Sequence, residues 1–200
     1  DNPYVDAQEA LRIAGNDAFV EKGKEAQAIS MVLLKNNGLL PLKKGIRIYA
    51  EGMTDLGGLE KYADLAKKPA EADVIVLRIA TPWQKREGGS LLESFFRGGR
   101  LYYSEEELDE ILGLIRQKPA VVVANLYRPA VLTEINEHCK ALMADFDTSD
   151  EVLADVLFGT RKAEGKLPLE LPSSREAVEK QLEDVPYDSE NPLYPFGFGL

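Results

Sequence analysis

Trp83, Arg86, Glu87 and Glu93 fall within one stretch, 81–100, of sequence TPWQKREGGSLLESFFRGGR. A tryptophan offers a flat apolar face that matches the C–H face of a sugar ring, with a polar N–H at its edge. A glutamate in such a connection works as a general acid/base when a partner carboxylate is brought near. The same residue types also make an ordinary charged, solvated connection, so both readings stand at this point. Arg128, in Asn125-Leu126-Tyr127-Arg128-Pro129, is a second candidate. It either donates to substrate hydroxyls, caps a helix or pairs with an acid, and the structural roles are preferred. The run Asp145-Phe146-Asp147-Thr148-Ser149-Asp150 reads first as helix N-cap chemistry. It lacks the alternate-position ligands of a calcium loop.

Other chemistries are excluded by what the chain lacks. One cysteine, Cys139, permits no internal disulfide and reads as a small core residue. The one histidine, His138, is its neighbour, and adjacent residues on a helix do not face each other. That sets aside a Cys-His nucleophile, and a zinc site needs more His and Cys ligands than these. The glycine pairs at 57–58, 88–89 and 98–99 do not give a dinucleotide or Walker spacing after a strand. A net charge of −10, from 34 acidic and 24 basic residues, argues against nucleic acid and against an anionic membrane surface. No run approaches the roughly 20 apolar residues that span a bilayer. The chain opens at Asp1 without Met, which reads as a fragment, a processed chain or a domain boundary.

The elements that would position these residues follow from hydrophobic patterning. Residues 7–35 read as helical, with Ala26, Ile29, Ser30 and Leu33 at spacings of three and four. Asn36-Asn37-Gly38 breaks that helix, and Leu39-Leu40-Pro41-Leu42 is extended. Strands are expected at 46–50, 73–79, 120–126 and 140–146. Their near-continuous apolar runs suit a parallel sheet covered on both faces. Helices are expected at 104–117, with a capping box from Ser104 to Glu107, from about 129, and at 150–158. The last would take Thr148 and Glu151 as its capping box and Gly159 as its stop. Strand alternating with helix predicts a three-layer α/β/α sandwich with a mostly parallel sheet. All 200 residues form one domain in this reading, with 1–45 as a helical lead-in and 165–200 as an extended tail packing on it. The stretch 81–100 then sits at the carboxyl end of a strand, the edge where open α/β sheets bind ligands.

Several ordered motifs resemble one family. Val32-Leu33-Leu34-Lys35-Asn36-Asn37-Gly38-Leu39-Leu40-Pro41-Leu42 resembles the "LLKN…LPL" entry to the C-terminal domain of glycoside hydrolase family 3. Asp155-Val156-Leu157-Phe158-Gly159, followed by Gly165-Lys166-Leu167-Pro168, is similar to its "DVLFG…GKLP" segment. Tyr194-Pro195-Phe196-Gly197-Phe198-Gly199-Leu200 is similar to its closing "YPFGFGL", and Asn2-Pro3-Tyr4-Val5-Asp6 to the stretch after its catalytic barrel.

The resemblance implies a β-glucosidase-like, exo-acting, retaining enzyme with no cofactor. An N-terminal barrel supplies an Asp nucleophile, and the α/β domain contributes part of the sugar pocket and often the acid/base Glu. It also favours an extracellular or periplasmic setting. A retaining pair needs two carboxyl groups roughly 5–5.5 Å apart. This chain holds at most one of them in its family role, so alone it is expected to be inactive on its β-glycoside or oligosaccharide substrate. Relatives with "PYEPR" in the loop carry Glu one residue after the aromatic, whereas here Gln84 follows Trp83. Glu87 is therefore the first acid/base candidate and Glu93 the second, with Trp83, Arg86 and Arg128 as candidate sugar ligands. The alternative is a non-catalytic module of the same fold that binds sugar or braces the barrel; a flavodoxin-like ligand-binding domain is a remote third. Without its barrel the chain is expected to expose a large apolar patch or to self-associate.

Overall fold

The computed structural model describes residues 4–84, 98–182 and 184–200. Its centre is a six-stranded sheet in the order β1-β6-β5-β4-β2-β3. The strands are β1 (Val32–Asn36), β2 (Arg47–Glu51), β3 (Asp64–Leu65), β4 (Val74–Ala80), β5 (Ala120–Asn125) and β6 (Ala141–Asp145). All neighbours are parallel except β1 and β6, which run antiparallel. Every residue of β5 and β6 is buried, as expected for central strands covered on both faces.

Alternation along the strands divides the core in two. Ile75, Leu77 and Ile79 of β4 join Val122 and Leu142 on one face, where α4 (Glu105–Ile115) brings Leu112 and Ile115 and α5 (Thr133–His138) brings Ile135. Val74 and Val76 join Val121 and Met143 on the other. That second face is covered by α6 (Asp150–Leu157), by α3 (Gly57–Glu60) and by the end of α2 (Asp17–Ser30). Helix α6 buries Val152, Leu153, Val156 and Leu157 there. Full burial of such a side chain contributes about 1.5–3 kcal/mol each, so this helix is one of the main anchors of the layer. Layers of helix, sheet and helix make the α/β/α sandwich expected from sequence.

Local chemistry bears out some boundaries and corrects others. Ser104 and Glu107 form the expected reciprocal capping box, and α6 ends before Gly159, whose φ is 72°. The helical reading of 7–35 divides instead into α1 (Ala7–Ile13), α2 and a strand. Met31 leaves the helix with extended dihedrals, and Val32 and Leu34 are drawn into the sheet edge beside β6. Burial on a pleated surface outweighs the three-four spacing there. The helix expected from about 129 starts at Thr133. The N-cap of α6 is Ser149, whose hydroxyl accepts from Val152 N, rather than Thr148. Thr148 is buried one residue earlier, and its carbonyl accepts from Arg78 Nη2 at 2.7 Å. Elements α3 and β3 were not expected. Neither was α7 (Arg175–Lys180), which lies within the tail read as extended.

Candidate functional site

Strands β4, β5 and β6 end level with one another, with Ala80 opposite Asn125 and Asn125 opposite Asp145. Above this row lies a cleft of about 470 Å³, lined by Arg78, Asn125, Tyr127, Thr148 and Asp150 among others, with Gly52 and Thr54 on its far wall. Gly52 has φ of 79°, and a Cβ there would stand 1.9 Å from the Arg78 carbonyl oxygen. Only glycine lets the loop after β2 approach β4 so closely.

Beneath the cleft Arg78 is clamped between two carboxylates. Its Nη1 donates to Asp150 Oδ1 at 2.7 Å, and its Nη2 lies 2.6 Å from Asp145 Oδ2. The oxygens of Asp145 lack a well-aligned hydrogen bond, so its pairing with Arg78 is a contact of charges. The two acids respond differently. Burial pushes the Asp145 carboxyl up to about 6, more than Arg78 pulls it down. Burial also pushes Asp150 up, but hydrogen bonds from Asp55 N, Thr54 Oγ1 and Thr54 N outweigh it and, with Arg78, hold Asp150 below the usual range. On the rim, Asn125 Nδ2 and Tyr127 OH both donate to Asp147 Oδ1, at 2.9 and 2.5 Å. This network fixes the shape of the strand ends.

A pH dependence follows from Asp145. Its folded-state value near 6 exceeds the ordinary 3.8, so between those limits the folded chain holds more protons than the unfolded one. Asp145 therefore lowers stability as pH rises from about 4 to 6, by up to about 3 kcal/mol. Glu151, pulled down to about 2 by Lys24 and Lys61, works in the opposite sense between about 2 and 4.5. Thermal melts should show the stability of Asp145→Asn, relative to the parent, rising across pH 4–6 and then levelling. A difference flat across that interval would refute the assignment.

Among the sequence candidates, Trp83 is 47% exposed, three residues past the end of β4. The backbone N–H of Gln84 donates to Gly98 O at 2.9 Å. Arg128 Nη2 donates to Gly99 O at 2.6 Å and Arg100 O at 2.5 Å. The structure thus brings Trp83 and Arg128 to the two sides of one connection. Arg86, Glu87 and Glu93 lie outside the described residues. Sequence reasoning passed over Arg78, read Asp145 only as part of a helix N-cap run and gave Tyr127 no role. The available signal was a lone arginine inside the apolar run DVIVLRI, since a charge in a central strand needs a buried partner. Cys139 is buried, with its thiol pushed up to about 11 by desolvation, and His138 Nε2 lies 2.7 Å from Arg116 Nη2. Among the described residues, no group of three or more His, Cys, Asp or Glu is placed to hold a metal ion.

Comparison with known proteins agrees with this architecture. The profile described as the glycosyl hydrolase family 3 C-terminal domain matches residues 56–200. "Probable beta-glucosidase C" of Aspergillus flavus is 41% identical over 205 residues, covering 100% of this chain and 32% of that protein. "Periplasmic beta-glucosidase/beta-xylosidase" of Dickeya chrysanthemi is 37% identical, covering 100% of this chain and 31% of that protein. The chain thus spans about a third of the length of these relatives. Among solved structures, a β-glucosidase of Erythrobacter marinus superposes with a TM-score of 0.73 at 21% identity, covering 100% of this chain and 37% of that one. A β-glucosidase of Listeria innocua in complex with glucose gives 0.67 at 21%, covering 94% and 34%. The motifs quoted from the sequence, the sandwich they build and the match over 56–200 agree: this chain belongs to glycosyl hydrolase family 3, as its C-terminal domain.

Proposed function

We propose that the chain is the C-terminal part of a retaining, exo-acting β-glycosidase, β-glucosidase-like, that holds one side of the sugar site and is inactive alone. The observation that carries this is the alignment of the entire chain with β-glucosidases three times its length. The Asp nucleophile would come from an N-terminal barrel, and Glu87, or failing that Glu93, from this chain as acid/base. Trp83 would stack on the sugar, with Arg86 beside it. No cofactor enters this chemistry.

A barrel partner has support in the lead-in helices. No residue of α1 is buried, and α2 buries only Ala28. Tyr4, Val5, Leu11, Ile13, Phe19 and Val20 are all exposed. A helix of seven residues is marginal by itself in water, and large apolar side chains in such number call for a cover. In the isolated chain the same face would serve self-association.

The test is release of nitrophenol from a panel of nitrophenyl β-glycosides by the 200-residue chain. No turnover above background is expected. Turnover abolished by a substitution within the chain would place a complete catalytic pair here and end this division of labour. Gln84 directly after Trp83 favours a second reading, a non-catalytic module that binds sugar or braces the barrel.

A further inference from the structure

Arg128 stands just past the end of β5, and its Nη2 carries two protons. Each has an acceptor, Gly99 O at 2.6 Å and Arg100 O at 2.5 Å. Three residues on, Val131 N donates to Leu101 O at 2.8 Å, so residues 99–101 are held along 128–131. The start of that segment meets the stretch after β4 that carries Trp83. Gln84 N donates to Gly98 O, and Gly99 sits at φ 82° with the place of its missing Cβ only 2.6 Å from Gln84 Cβ. A rigid backbone path therefore runs from the guanidinium through the carbonyls of 99 and 100 to Gln84, and Trp83 is the next residue. Hydrogen bonds from a charged donor are stronger than neutral ones, so this clasp outweighs its backbone neighbours.

We infer that Arg128 is a positioning residue that holds backbone 98–100 against Gln84 and so fixes the Trp83 ring for stacking on the sugar. The stacking role rests on the reading given under Proposed function; the mechanical coupling of Arg128 to Trp83 does not. It also replaces a direct role for the Nη2 protons in binding substrate.

Trp83 is the single tryptophan, so fluorescence excited beyond the absorption band of the eight tyrosines reports this ring alone. In Arg128→Met, acrylamide quenching of Trp83 should increase and its emission anisotropy should fall, with the far-UV circular dichroism unchanged. Arg128→Lys keeps a cationic donor and should recover part of both signals. Gly99→Ala pushes on Gln84 from the other side and should shift Trp83 emission with Arg128 intact. Quenching and anisotropy equal to the parent in a natively folded Arg128→Met would overturn the inference. Should that variant not fold, parent-like Trp83 emission in a natively folded Gly99→Ala would overturn it equally. The sugar role is separable. In the full-length enzyme, Trp83→Ala with an unchanged KM would remove the stacking platform and leave the measured coupling standing.

Discussion

Arg78→Met is expected to destabilise the fold by about 3–5 kcal/mol, read as a drop in the urea midpoint with little change in slope. Among the described residues, the guanidinium is the only side chain forming an ion pair with Asp145, which is fully buried, and it also pairs with Asp150. Methionine fills similar volume but removes the charge that draws the Asp145 carboxyl down, so the acid must take up a proton or stand in the sheet interior with its desolvation unopposed. Asp150 is less affected, because Thr54 and Asp55 still donate to its Oδ2. The double variant Arg78→Met/Asp145→Asn should therefore regain a good part of the loss by removing the stranded charge. A loss for Arg78→Met below about 1 kcal/mol, the range of exposed pairs, would show that water reaches the network and that it does not organise the strand ends.

The largest effect on activity is expected from Glu87→Gln in the full-length enzyme. Loss of a general acid should cut turnover by about 10²–10⁴-fold on glycosides with poor leaving groups. Nitrophenyl glycosides, whose leaving group needs little protonation, should lose far less. The alkaline limb of the pH profile should move with the substitution, because it reports the essential acid. A uniform fall across leaving groups would point to binding rather than proton transfer. Unchanged rates would pass the role to Glu93, and unchanged rates in both variants would leave the non-catalytic module as the surviving reading.

The parts of the fold legible in the sequence were those where local and global preferences coincide. Strand β5 is apolar, β-branched and central, and the Ser104 and Glu107 pair announces α4 by hydrogen bonds within one turn. The strand β1 was hidden because Leu33 fits a helical spacing, while its actual state depends on a partner 110 residues away, Met143. Short elements such as β3, with two residues, carry too little pattern to register. Trp83 and Arg128 were singled out by residue type alone. What the sequence did not reveal was that Arg128 spends its protons on the carbonyls of 99 and 100, since that depends on two connections meeting in space. The Arg78 network was missed for a related reason: Asp145 and Asp150 lie 67 and 72 residues along the chain from Arg78 and meet it only once the sheet is assembled.

Among the described residues, the two rims of the sheet are short or covered. At one, β3 is too short to pair with more than two residues of another chain. At the other, β1 faces β6 on its inner side, and the tail returns along it, with Gly165 N donating to Met31 O and Leu200 N to Leu33 O. Open strand edges are what recruit further strands into fibrils. A chain that clumps in its native state would therefore do so through the greasy lead-in helices, as reversible oligomers that dissolve on dilution, and not through cross-β growth. Thioflavin-negative association would be its signature.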